Sequence, residues 1–292
     1  MVVHTTIVDA KDGRKLCVDS GGDPDGPSVL IHWGTPNSRL IYAPLLEDAA
    51  RNGVHLLSYD RPGYGGSSPH PGRRVADCVE DVRAIAAAFG IDRMASWGIS
   101  GGGPHVLACA ALAPDLFCAV ASLASIAPYG AEGLDFFAGM GQENVDDMKL
   151  YLADPDAARK KAEEDREKTL QATPEQFADL WPTLLSAADA AAMTPELAGY
   201  LADAMQAGLA PGVEGWWEDG VAHMESWGFD PAEIGIPMQL WHGAEDRFVP
   251  FQHGQWLAER IPGVDAHLTA TDGHLTLLGR VPEIREWLLA RF

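Results

Sequence analysis

Ser100 stands in Gly98-Ile-Ser-Gly-Gly102, a G-x-S-x-G spacing that suits a nucleophile. A short apolar run, 93–97, precedes it and a small-residue run, 101–112, follows it. This context predicts a tight strand-to-helix turn, a nucleophile elbow, which pushes the serine into a strained backbone conformation and projects its hydroxyl outward. Small flanking residues are needed because a Cβ there would meet neighbouring strands. A neutral hydroxyl attacks carbonyls poorly, so an imidazole must take its proton and a carboxylate must orient that imidazole. The chain offers both partners downstream, in the order Ser100, Asp246, His274. Asp246 closes the loop Gly243-Ala-Glu-Asp after the buried-strand pattern 236–242, and His274 closes Thr271-Asp-Gly-His after the strand-like run 264–270. Glu245 and Asp272 compete for the acid role. Glu245 requires a one-residue shift of the loop, and Asp272 lies too near the histidine for an easy approach to its ring.

An oxyanion requires two backbone N–H donors, one of them from the residue after the nucleophile. Gly101 supplies that one. The second is expected from His32-Trp-Gly-Thr-Pro36, after the strand-like run 28–31, with Thr35 the preferred donor because Pro36 has no N–H. The amide one residue earlier would meet the same need.

The elements that must hold these groups follow from periodicity. Strand-like runs at 5–8, 16–19, 28–31, 55–60, 93–97 and 119–123 alternate, after the first pair, with helical stretches; 75–89 is the clearest amphipathic helix before Ser100. That pattern predicts a mostly parallel sheet flanked by helices, with an antiparallel start. From about Pro128 to Ile234 the alternation stops and four or five helices are expected, broken by Asp154-Pro, Thr173-Pro and Thr194-Pro turns. The expected division is a core of residues 1–128 and 235–292, with 129–234 inserted as a helical cap. The 292 residues, 47% of them hydrophobic, suffice for one sizeable core and this insertion.

Taken together, five segments resemble the α/β-hydrolase superfamily, in its cap-bearing serine hydrolase branch: 32–38, Tyr59-Asp-Arg-Pro-Gly-Tyr-Gly-Gly-Ser-Ser68, the elbow, 243–246 and Gly273-His274. The resemblance covers nearly the whole chain outside the middle. Members of this branch usually place His-Gly directly before the oxyanion residue, whereas Trp33 here separates His32 from Gly34; an indole there would wall the acyl or alcohol pocket. Members that open epoxides or haloalkanes usually carry Asp at the elbow, so Ser100 implies acyl transfer to water. The resemblance implies carboxylic ester hydrolysis of a small, apolar substrate through an acyl-enzyme. A proline iminopeptidase-like amidase, a carbon-carbon bond hydrolase and a non-turnover small-molecule receptor are the alternatives.

The formal net charge is −21, and residues 130–235 carry 22 Asp plus Glu against 6 Lys plus Arg. Repulsion of that size disfavours nucleic acid and anionic lipid. These charges are expected on solvated helix faces, or, in a sharper reading, a few turn inward to select an amine. Trp216, Trp217, Trp227 and Met224 in the same stretch, with Trp33, are candidate substrate-binding residues. No apolar run reaches bilayer-spanning length and the N-terminus lacks a secretory pattern, so a cytoplasmic protein without membrane association is expected. Cys17, Cys78, Cys109 and Cys118 lack C-x-x-C spacing and fit buried hydrophobes. There is no Gly-Lys-Ser/Thr phosphate loop, dinucleotide fingerprint or H-E-x-x-H, so the expectation is a small-molecule substrate and neither metal nor organic cofactor.

Overall fold

The computed structural model describes residues 2–292. Its strands are β1 (His4–Asp9), β2 (Lys15–Gly22), β3 (Ser28–His32), β4 (His55–Tyr59), β5 (Met94–Ile99), β6 (Phe117–Leu123), β7 (Met238–Gly243) and β8 (Asp265–Thr269). They form one sheet in the order β1-β2-β4-β3-β5-β6-β7-β8. β1 pairs with β2 and β2 with β4 antiparallel; every other pairing is parallel. Such a sheet is covered on both faces, which is why β3 to β7 are buried at every residue rather than at alternate ones. The outer strands β1 and β8 are largely exposed.

The helices are α1 (Ala43–Arg51), α2 (Cys78–Phe89), α3 (Gly103–Leu112), α4 (Gln142–Ala153), α5 (Pro155–Gln171), α6 (Ala187–Ala192), α7 (Pro195–Leu209), α8 (Glu214–Met224), α9 (Phe251–Arg260) and α10 (Val281–Leu289). α2, α3 and α9 bury Val82, Ile85, Leu107 and Leu257 with Leu30, Leu57 and Leu240 in one apolar cluster. α1 and α10 bury Leu45, Ile284 and Leu288 with Ile31, Trp97 and Trp241 in a second. Each fully buried Leu or Ile contributes roughly 1.5–3 kcal/mol, so both layers grip the sheet firmly. The helix expected at 75–89 begins with a tight turn at Val75–Asp77 before α2 proper, and the one expected from Gly101 starts with a similar turn at Ser100–Gly102.

α4 to α8 all lie between β6 and β7. The proline signals in this stretch mark helix starts. Asp154 and Thr194 accept hydrogen bonds from Ala157 N and Leu197 N, with Pro155 and Pro195 in the first helical position, where a missing N–H is harmless. The parallel strands point their carboxyl ends to one edge, and the loops after β3, β5, β7 and β8 open there.

Candidate active site

Ser100 follows β5 directly and has φ of +56°, a left-handed conformation that costs an L-residue about 1–2 kcal/mol. The two glycines of the motif explain how the turn closes. A Cβ on Gly98 would sit 2.5 Å from Gly102 O, and one on Gly102 would sit 2.0 Å from His32 O. Backbone thus packs on backbone on both sides of the serine, and only glycine fits. Gly34 approaches from the next strand's loop: a Cβ there would come within 3.3 Å of Ser100 Cβ.

His274 and Asp246 meet on the other side. His274 Nδ1 lies 2.8 Å from Asp246 Oδ2, and both residues are buried. Asp246 Oδ1 accepts the Val249 amide at 2.9 Å, which fixes the carboxylate plane. The two loops are tied together through Glu245 N to Asp272 O at 3.0 Å, and a Cβ on Gly243 would strike Asp272 O at 1.9 Å. The rival acids are engaged elsewhere: Asp272 pairs with Arg280 at 2.9 Å, and Glu245 is exposed. Phe248 stacks on the imidazole at 4.6 Å between ring centroids. Burial pulls the His274 pKa down, but the charge and hydrogen bond of Asp246, helped by the charge of Asp189, outweigh it and leave it above the ordinary value. His242, buried beside Asp246 and bonded to Val249 O at 2.8 Å, is held neutral by desolvation.

Ser100 and His274 border the same cavity of about 610 Å³, together with Thr35 and Gly101. Among the described residues no hydrogen bond joins Ser100 Oγ to the imidazole; the two face a shared space. Trp33, Trp216, Trp217 and Met224 line this space as well. Trp227 does not: it is packed in the core cluster, tilted against Phe229, where its Nε1–H reaches His223 O at 3.4 Å. Its apolar surface is spent on holding α8 to the core.

The oxyanion-type loop is held from beneath by a buried charge cluster that periodicity does not reveal. Asp219 of α8 accepts from Thr35 Oγ1 at 2.7 Å, from Tyr64 OH at 3.0 Å and from Arg61, and pairs with Arg73 at 2.7 Å. Arg61 also donates to the carbonyls of Trp33 and Gly34. Burial alone would raise the Asp219 pKa; the Arg61 and Arg73 guanidiniums reverse that and hold it well below the carboxylate range. His105 and His223 both donate to Gly101 O, at 2.9 and 3.1 Å, and burial keeps His223 neutral, its pKa pushed down to about 4. The segment 59–68 showed that this stretch matters, yet Arg61 gained its meaning only from a partner far along the chain.

Of the acidic residues between β6 and β7, only Asp189 and Asp219 are fully buried. Asp219 is committed to Arg61 and Arg73, and Asp189 to backbone amides of the His274 loop. Asp147 and Asp165, which line the cavity, are paired with Lys161 and Lys168. All four cysteines are buried free thiols. Among the described residues no cluster of His, Cys, Asp or Glu is arranged to hold a metal, and no helix is long and apolar enough to cross a membrane.

A family model described as the alpha/beta hydrolase fold matches residues 27–281, nearly the whole chain. The chain belongs to the α/β hydrolase fold family. Among solved members of similar fold, a thermophilic esterase from Thermogutta terrifontis aligns with a TM-score of 0.69 and 19% identity over 98% of each chain. The enol-lactonase from Burkholderia xenovorans LB400 aligns at 0.70 and 18%, over 98% of this chain and 100% of that one. A curated relative, epoxide hydrolase B of Mycobacterium tuberculosis, is 28% identical over 142 residues, 47% of this chain. That match spans 39% of the relative's length. The α/β hydrolase fold explains why the four loops gather at one sheet edge, while the chemistry rests on the side chains they carry.

Proposed function

We propose that this α/β hydrolase is a serine carboxylesterase that cleaves esters of small, apolar substrates through an acyl-enzyme, with α4 to α8 serving as a cap over the site. The observation that carries the reading is the left-handed Ser100 at the rim of a cavity shared with the buried His274–Asp246 pair. Ser100 Oγ attacks the ester carbonyl as its proton passes to His274 Nε2; the carbon-oxygen bond breaks and the proton leaves on the alcohol. Water then repeats the sequence, its proton going to His274 and on to Ser100 as the acid departs. Asp246 holds the imidazole tautomer and stabilises the imidazolium. The Gly101 and Thr35 amides are the oxyanion donors. Catalytic hydrogen bonds commonly tighten on substrate binding, so a bond from Ser100 Oγ to His274 Nε2 is expected to form with the ester in place.

The nucleophile's chemistry separates this from epoxide opening. An alkoxide opening an epoxide would leave an ether that water cannot cleave, whereas a carboxylate nucleophile leaves a hydrolysable ester; this chain has an alcohol at that position. A cavity of about 610 Å³ fits a small organic molecule; of the acids that line it, Asp147 and Asp165 are paired with lysines and Glu143 accepts from Thr183.

A panel of p-nitrophenyl esters, lactones and aminoacyl anilides tests the reading. Steady turnover of esters that disappears in Ser100→Ala is expected. Exclusive cleavage of a prolyl anilide would overturn the ester assignment, and fluorophosphonate labelling without turnover of any substrate would favour a receptor.

A further inference from the structure

Asp189 is a fully buried carboxylate that the proposed reaction leaves without a task. It sits on α6, a helix of six residues far from β8 in sequence, and its oxygens are directed at the backbone around His274. Oδ2 accepts His274 N at 3.0 Å; Oδ1 accepts Leu275 N at 2.7 Å and Thr276 N at 3.4 Å. Ser186 Oγ donates to Oδ2 at 2.9 Å. Among the described residues no lysine or arginine pairs with it, so its charge is held by neutral donors alone. A Cβ on Gly273 would lie 2.5 Å from both carboxylate oxygens, and that close approach requires the glycine.

An ion stripped of water is retained only where hydrogen bonds replace its hydration, and three consecutive amides do that here. The same bonds remove the freedom of the peptide that carries the imidazole. Ring orientation is set by Asp246; the place from which the ring hangs is set by Asp189.

We propose that Asp189 is a positioning residue for His274, locking the backbone of the histidine loop from the inserted helices so that the proton-transferring imidazole is held by carboxylates at both its ring and its amide. This deepens, and for its role in turnover rests on, the serine-hydrolase reading. The charge has a second effect: a buried anion near the imidazole favours the imidazolium that forms as Ser100 gives up its proton. The charged or titratable groups facing His274 are Asp246 beside its ring, Asp189 beneath its amide, neutral His242 behind Asp246, and Asp272, two residues away and paired with Arg280.

The test compares wild type with Asp189→Asn, Asp189→Glu and Gly273→Ala. In Asp189→Asn an NH₂ must face a backbone donor and the charge is gone. Two readouts are followed: kcat and KM for a p-nitrophenyl ester, and the His274 imidazole titration by NMR, which needs no turnover. Asp189→Asn is expected to lower kcat by about tenfold or more with KM within about twofold, as loss of a transition-state interaction does. The His274 midpoint should move to lower pH, with Asp189→Glu restoring the midpoint in part. Gly273→Ala, which displaces the carboxylate without removing it, should lower kcat in the same way; it serves as the deciding variant if Asp189→Asn does not fold. A folded Asp189→Asn or Gly273→Ala with wild-type kcat and an unmoved His274 titration would overturn the proposal. Should wild type turn over no ester while the midpoint still falls in Asp189→Asn, the hydrolase reading fails and the placement of His274 by Asp189 stands.

Discussion

Replacing Asp219 with alanine is expected to remove roughly 3–5 kcal/mol of stability, the typical consequence of breaking a buried ion pair from one side. The reasoning starts from burial: Asp219 is 0% exposed and its partners Arg61 and Arg73 are each 4% exposed in their side chains. Without the carboxylate, two guanidiniums face each other in a site that water does not reach, and Tyr64 OH and Thr35 Oγ1 lose their acceptor. Against a total of about 5–15 kcal/mol for an ordinary protein, that loss is a large fraction. Asp219→Asn restores the volume and one acceptor but not the charge, so most of the loss should remain. Urea unfolding at pH 7, followed by fluorescence and circular dichroism together to check two-state behaviour, measures it. The sign of the pH dependence is fixed by the direction of the shift. Because the folded pKa lies well below the carboxylate's ordinary value, Asp219 contributes stability that is present above the unfolded pKa and fades only as pH falls through the folded one. The difference between wild type and variant should therefore be the same at pH 8 and pH 5. A loss below about 1 kcal/mol, or a difference that vanishes at pH 5, would refute the assignment of this cluster as the buried anchor of the oxyanion loop.

Three further outcomes are expected. Ser100→Gly and Ser100→Ala should both abolish ester turnover, but Ser100→Gly should be the more stable by about 1 kcal/mol in thermal or urea unfolding, since only glycine accepts the left-handed conformation without strain; equal stabilities would contradict a strained elbow. The acid limb of kcat/KM should have its midpoint above 6.5, because the raised pKa of His274 keeps the base protonated to higher pH; by the same sign, this histidine's contribution to stability is full below its unfolded pKa and fades as pH rises through the folded one, which unfolding curves from pH 5 to 9 can resolve. Trp216→Ala, which removes an apolar wall from the cavity, should raise KM for the longest p-nitrophenyl ester accepted by up to about tenfold while leaving the acetate ester nearly unchanged; a uniform change across chain lengths would argue that Trp216 does not touch the acyl group.

Local sequence carried the sheet because its signals are local. Buried parallel strands such as 28–32 and 55–59 carry short apolar stretches, Val29-Leu-Ile31 and Leu56-Leu57, and each is followed by a loop and a helix with its own start signal. The elbow was readable for the same reason: Gly98, Ser100 and Gly102 state in five residues that backbones pack too closely for side chains. Loop spacing favoured Asp246 over Glu245 and Asp272, and contacts add the direct grounds: the exposure of one rival and the Arg280 partner of the other. Trp227 shows the limit of composition: tryptophans at helical spacing serve a cavity or a core equally well, and only its neighbours assign it to the core. Asp189 and Asp219 were hidden among 22 acidic residues between positions 130 and 235. The run around Asp219 does not distinguish it from solvated neighbours, and Ser186 marks only a helix start before Asp189; the partners that give the two their roles lie 158 and 85 residues away in the chain.

The central claim, that an alcohol, an imidazole and main-chain donors converge on one reacting carbonyl, is tested most directly by a crystal structure of the protein inhibited with a p-nitrophenyl alkylphosphonate. A phosphorus atom bonded to Ser100 Oγ is expected, with its oxygen about 3 Å from Gly101 N and from the amide of Thr35, and His274 Nε2 within hydrogen-bond reach of Ser100 Oγ. A bond to any other residue, or an imidazole still separated from Ser100 in the adduct, would contradict it.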